Sequence, residues 1–197
     1  MNEKRYRLMP SGRRFYFDDM SKNKFDITEV AHTLGRLCRF GGATDRFYSV
    51  STHSRLVAHI VEDPSLKLMA LLHDASEAYI GDIISPVKDL STRIQTLELE
   101  IQEWIMDHFN CDTRCQISHP AIKIADLIAL GIEKKIFMPY DDKPWECLRG
   151  LEYAIDAHIN KVTVNEIISA NGFNTEKELF QNDYYRYLPQ HNKCDLS

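Results

Sequence analysis

Four side chains stand on backgrounds that should not tolerate them. His73 and Asp74 follow the apolar run LKLMALL, Asp126 lies inside IKIADLIALGI, and His53 falls on the apolar face of a helical pattern. A charge taken out of water alone costs several kcal/mol, so it must be paired, neutralised or bound to a cation. Each residue has an ordinary explanation by itself. A histidine on an apolar face is commonly a hydrogen-bonded core residue, and Asp126 has Lys123 one helical turn away. A single divalent ion accounts for the whole order, His then His-Asp then Asp on separate helices. Imidazole and carboxylate suit zinc, manganese, cobalt or iron and tolerate magnesium, with no thiolate to bias the set. Consecutive helical residues point roughly 100° apart, so His73 and Asp74 share an ion only if it sits between their directions. Two histidines and two aspartates would leave room for water and a phosphate oxygen, as metal-assisted hydrolysis requires.

The elements that must position these groups read as helices. Residues 12–27 are aromatic-rich and suit a short extended arm or hairpin. Asp26 then caps a helix through Val30, Leu34 and Leu37 that ends at Gly41-Gly42. The period predicts a second helix over 50–61 with His53, Leu56, Val57 and Ile60 on one face. Asp63-Pro64 opens a third, running to Tyr79 and closing at Gly81, and 82–91 reads as a loop turning at Pro86. Further helices are predicted over 92–109, 120–137 and 146–160, with a loop at 110–118 and caps for two short helices at Thr163 and Thr175. No internal repeat, low-complexity tract or linker interrupts the chain. The expectation is one all-α domain over residues 1–197 with a small extended segment near its start.

The spaced pattern His53, His73-Asp74, Asp126 resembles the HD-domain phosphohydrolase superfamily. The stretch HDASEAYIGDIISPVK (73–88), with RFGG (39–42) and FYSVSTHS (47–54), resembles bacterial HD-type 5′-deoxynucleotidases and the related small phage dATP triphosphohydrolases. The resemblance spans about residues 25–135 and implies an HD-domain helical bundle holding one divalent metal ion on those four ligands. Glu77 lies on the helix face of His73 and Asp74, where a carboxylate can orient or deprotonate an attacking water. Asp82, acidic in the family pattern as well, is the other candidate acid or base. The resemblance also implies phosphate contacts for Arg39 and Lys88, which would supply the positive charge that phosphoryl transfer needs. Phe40 stands where those relatives usually carry a tryptophan, and its ring can stack on a base or fill the sugar side of the pocket. Arg36, Thr44 and His32 are further expected lining residues.

Composition narrows the classes. The 197 residues are 44% hydrophobic and 27% charged with a formal net charge of −5, which suits one globular domain and supplies no basic stripe for nucleic acid. Five scattered cysteines and the absence of an apolar leader or span read as a reducing cytoplasm with no membrane partner. His108, Cys111, Cys115 and His119 are spaced H-x2-C-x3-C-x3-H, which departs from the usual zinc-finger patterns, so no metal is assigned there. The expected function is hydrolysis of the 5′-phosphate ester of deoxynucleoside monophosphates. Release of triphosphate from a dNTP is the alternative, and a non-catalytic binding scaffold is a third. A homo-oligomer is expected from the resemblance alone.

Overall fold

The computed structural model describes residues 5–109, 119–169 and 173–191. Strands β1 (Tyr6–Leu8) and β2 (Arg14–Tyr16) pair antiparallel, Tyr6 opposite Tyr16 and Leu8 opposite Arg14. The helices that follow are α1 (Ile27–Leu34), α2 (Val50–Ile60), α3 (Lys67–Leu72), α4 (Glu77–Ile80), α5 (Ser85–Lys88) and α6 (Thr92–Asp107). After the loop come α7 (Pro120–Phe137), α8 (Glu152–Ile159), α9 (Val162–Ser169) and α10 (Phe173–His191). The protein is therefore mostly helical with one small hairpin. No described helix is long and apolar enough to cross a membrane.

The centre of the molecule is α2. Helices α3, α7, α9 and α10 pack around it, and every one of its residues except His59 is buried. The sequence pattern predicts a one-faced helix here, but the structure buries it all round, so its polar residues need partners. Ser49 caps it by accepting from the Thr52 N–H at 3.0 Å. Arg55 reaches α10, its Nε donating to Asp183 at 2.9 Å, while Ser51 bonds the buried Glu176 at 3.1 Å. Helix α7 lies along α2 and approaches α8 so closely that a Cβ at Gly131 would stand 2.2 Å from Ile155 Cδ1. The hairpin is fixed to the bundle by Phe15, stacked on Tyr79 at 4.1 Å and edge-on to Trp104 at 5.4 Å.

Several predicted boundaries move. The single helix expected over 64–79 is a 3-10 turn at Pro64–Leu66, then α3, a turn at 73–76, and α4. The cause is Gln102 on α6. Its Nε2 donates to the Leu72 carbonyl at 2.8 Å and its Oε1 accepts from the Ser76 N–H at 3.1 Å. Those two backbone groups would otherwise close one α-helical bond with each other, so the inserted amide opens the ladder at His73 and Asp74. The first helix ends at Leu34 rather than at the glycine pair, and Arg39–Gly42 forms a separate 3-10 turn. Residues 85–88, read as loop, form α5. Helices α9 and α10 start before Thr163 and Thr175, which therefore do not cap them, and residues 146–148 form a 3-10 turn ahead of α8.

Candidate metal centre

His53 enters from the middle of α2, His73 and Asp74 from the opened turn between α3 and α4, and Asp126 from the second turn of α7. The structure brings the four together. One ligand atom each from His53, His73 and Asp126 lies within 4.8 Å of the others. Asp74 Oδ2 is 3.5 Å from His53 Nε2 and 3.2 Å from His73 Nε2, while Asp126 Oδ1 is 3.2 Å and 3.9 Å from the same two atoms. The pair His73-Asp74 sits in a turn, not on a helix, a correction to the expected placement.

The imidazole tautomers follow from the far side of each ring. His73 Nδ1–H donates to the Ala70 carbonyl at 2.8 Å, and His53 Nδ1–H donates to Glu133 Oε1 at 2.5 Å. Both Nε2 atoms then point lone pairs into the same space, 3.3 Å apart. Two lone pairs at that distance repel unless a proton or a cation lies between them. Burial and Arg39 oppose a charge on His53, but Glu133 and the hydrogen bonds to Asp126 and Glu133 outweigh them, pushing its pKa up to about 9. Burial likewise works against charge on Asp74 and Asp126. His73, His53 and Arg39 hold Asp74 well below the usual carboxylate range, and His53 and His73 hold Asp126 below it. Ionised carboxylates and inward-facing imidazole nitrogens are the donor chemistry of a divalent site, so these residues fit such an ion.

Glu133 belongs to no motif in the sequence. It is fully buried on α7 and is shared by three partners: His53, the Tyr48 hydroxyl at 3.0 Å and Arg39 Nε at 3.1 Å. Burial raises its pKa, but Arg39 and His53 outweigh that and keep it low. A carboxylate behind a ligating histidine fixes the ring and raises its basicity. Its spacing, two turns after Asp126 on the same face, was the available signal, but Lys134-Lys135 beside it suggests a surface.

Beside the ligand cluster lies a cavity of about 810 Å³, lined among others by Asp74, Asp126, Glu77, Asp82, Arg39 and Lys88. One carboxylate oxygen of Glu77 and one of Asp82 is buried with no hydrogen-bond partner. Burial together with the charges of Asp74 and Asp82 lifts the Glu77 pKa well above normal, and burial, with Asp74, lifts that of Asp82. Arg39 stays protonated because Glu133, Asp74, Glu77 and Asp126 outweigh its burial. Lys88 is engaged already, 2.5 Å from Glu98 and 3.5 Å from Glu77. Phe40 lines the cavity from a left-handed backbone, φ 58°, a conformation that costs a non-glycine residue about 1–3 kcal/mol and persists where surroundings impose it. Its neighbour there is Trp145, from the segment after α7, whose ring centre lies 6.4 Å away.

Arg36, Thr44 and His32, expected to line the pocket, are not among the residues that do. Arg36 folds back to the His32 carbonyl at the end of α1, and Thr44 bonds the Arg46 carbonyl. Of the H-C-C-H spacing, Cys111 and Cys115 lie outside the described residues, as does Cys194.

No protein-family model matches the chain. It is 33% identical over 141 residues to the protein YfdR of Escherichia coli (strain K12), described only as uncharacterized, covering 72% of this chain and 77% of that one. It is 38% identical over 139 residues to RCAP_rcc00048 of Rhodobacter capsulatus, also described as uncharacterized, covering 65% of this chain and 70% of that one.

Proposed function

Since the chain belongs to the family of Escherichia coli YfdR, whose description assigns no activity, we propose from the site itself an HD-type metal-dependent phosphohydrolase acting on deoxynucleoside 5′-monophosphates. The observation that carries this reading is the convergence of the His53 and His73 Nε2 atoms, 3.3 Å apart, with Asp126 Oδ1 3.2 Å from the first and Asp74 Oδ2 3.2 Å from the second. His53, His73, Asp74 and Asp126 would hold one divalent ion. Such an ion supplies a Lewis acid for a phosphoryl oxygen and makes an attacking water more acidic.

The protein's own groups do the rest. Glu77, its pKa lifted by burial, lines the cavity, one of its carboxylate oxygens has no hydrogen-bond partner, and it would exchange a proton with the water or the departing 5′-oxygen. Asp82 lines the same cavity. Arg39, fixed by Glu133 and 3.5 Å from Asp74, offers its remaining donors to the non-bridging oxygens. The cavity's volume suits a nucleotide-sized ligand.

Charge favours the monophosphate over the triphosphate. Around the cavity Asp74, Glu77, Asp82 and Asp126 oppose Arg39, Lys88 and Lys123, so even with a divalent ion the positive excess is small. With those seven groups ionised and a divalent ion added, the net charge is about +1, which partly offsets a phosphomonoester at about −2 and offsets the considerably larger charge of a triphosphate far less.

The test is incubation of metal-stripped protein with each of the four dNMPs and four dNTPs, adding cobalt, manganese or zinc, with products separated by ion exchange. Orthophosphate and deoxynucleoside from dNMPs support the reading. Intact triphosphate from a dNTP would shift the substrate, and no turnover with metal bound would leave a binding scaffold. Glu77→Ala should keep the metal and lose about two to four orders of magnitude in kcat. Full activity in that variant would pass the role to Asp82.

A further inference from the structure

The cavity is lined by two chemically different sets of residues. Arg39, Glu77, Asp82, Lys88 and Lys123 line it together with Asp74 and Asp126, while Leu127 and Leu130 of α7, Met138, Phe40 and Trp145 add apolar and aromatic surface. Resting on the deoxynucleotide reading, we infer that Trp145 and Phe40 form the seat of the nucleobase, and that Trp145 is the residue on which base binding chiefly depends.

Trp145 is held in place from several sides. Its indole N–H donates to Asp141 at 3.3 Å, and the ammonium of Lys134 lies 4.8 Å from its ring centre. Lys134 also donates to the Lys143 carbonyl at 2.9 Å, tying this segment to α7. Phe40 is fixed by its left-handed backbone and by the Arg39 guanidinium, 5.3 Å from its ring centre. The two rings meet at 6.4 Å and 50°, both on the cavity, so a flat base can rest against one while its edge meets the other. Two pre-set aromatic faces in a cavity that also holds Arg39 and Lys88 suit a ligand with an anionic head and a planar aromatic tail.

The indole N–H is already given to Asp141, so this wall reads a base by its face and not by its hydrogen-bonding edge. Stacking accepts every base, because each has a π-face. The seat therefore tolerates all four bases and favours purines through their larger area.

The test compares the metal-loaded wild type with Trp145→Ala and Trp145→Phe on dAMP, dCMP and 2-deoxyribose 5-phosphate, which lacks a base. Binding of unphosphorylated deoxyadenosine is measured in parallel by equilibrium dialysis. In Trp145→Ala the KM for dAMP should rise about tenfold relative to that for 2-deoxyribose 5-phosphate, with the phenylalanine variant recovering most of the loss. An unchanged ratio between the two substrates overturns the seat. If nothing is hydrolysed, the phosphohydrolase reading falls separately and dialysis decides this one. Deoxyadenosine binding that disappears in Trp145→Ala sustains the seat, and binding that is absent or indifferent to the substitution removes it.

Discussion

Glu133 governs how well His53 can serve as a ligand, because it holds the ring by Nδ1 and neutralises Arg39 at the same time. Glu133→Ala should weaken metal binding about 10- to 100-fold, with Glu133→Gln milder since an amide oxygen still accepts from Nδ1. Competition against a chromophoric chelator measures both, and wild-type affinity in the alanine variant would remove the positioning role. The same assay across pH tests His53 itself. With a pKa near 9 in metal-stripped protein, His53 is protonated at neutral pH, and that proton must leave before Nε2 can bind an ion. Affinity should therefore rise about tenfold per pH unit up to the region of 9 and flatten above it. A flat profile between pH 6 and 8 would mean that His53 gives up no proton on metal binding in that range. The ligand candidates were legible in the sequence because a charged type on an apolar stretch is a local anomaly. Glu133 sits beside two lysines and Trp145 amid polar turn residues, so neither stood out, and only the folded chain gives them their surroundings.

At the scale of elements, the break between α3 and α4 is set from outside. Gln102 comes from a helix 26 residues beyond Ser76 and takes the two backbone groups that would join the helices. Gln102→Leu lets Leu72 and Ser76 bond each other, which would carry His73 and Asp74 around the helix and away from Asp126. The expected result is a loss of metal affinity greater than tenfold with only a modest fall in Tm, since one buried backbone bond replaces two side-chain bonds. An intact metal site in a folded Gln102→Leu protein would show that the turn holds itself. This explains which elements were readable. Helices α2, α6 and α7 announce themselves by period, and α7 also by His119-Pro120, all local signals. The interruption at His73 depends on a contact far along the chain, and periodicity has no access to it. The glycines at 41 and 42 suggest a helix stop in the sequence, whereas in the fold they continue the left-handed turn that begins at Phe40.

For the whole molecule, the design is a buried polar helix wrapped by others, with the reactive groups collected where α2, the opened turn and α7 converge. The same burial that makes α2 a poor place for a histidine gives that histidine a fixed geometry. The net charge is −5, so under the proposed function the phosphate would be met by the local cations of the cavity, Arg39, Lys88 and Lys123. The central claim is that one ion, held by His53, His73, Asp74 and Asp126, makes this arrangement hydrolytic. Titrating metal-stripped protein with cobalt while following orthophosphate release from dAMP tests it most directly. The account predicts no release without metal, a linear rise, and a break at about one equivalent per chain, all absent in Asp126→Ala. Release from metal-free protein, or an Asp126→Ala variant that titrates like the wild type, would contradict it.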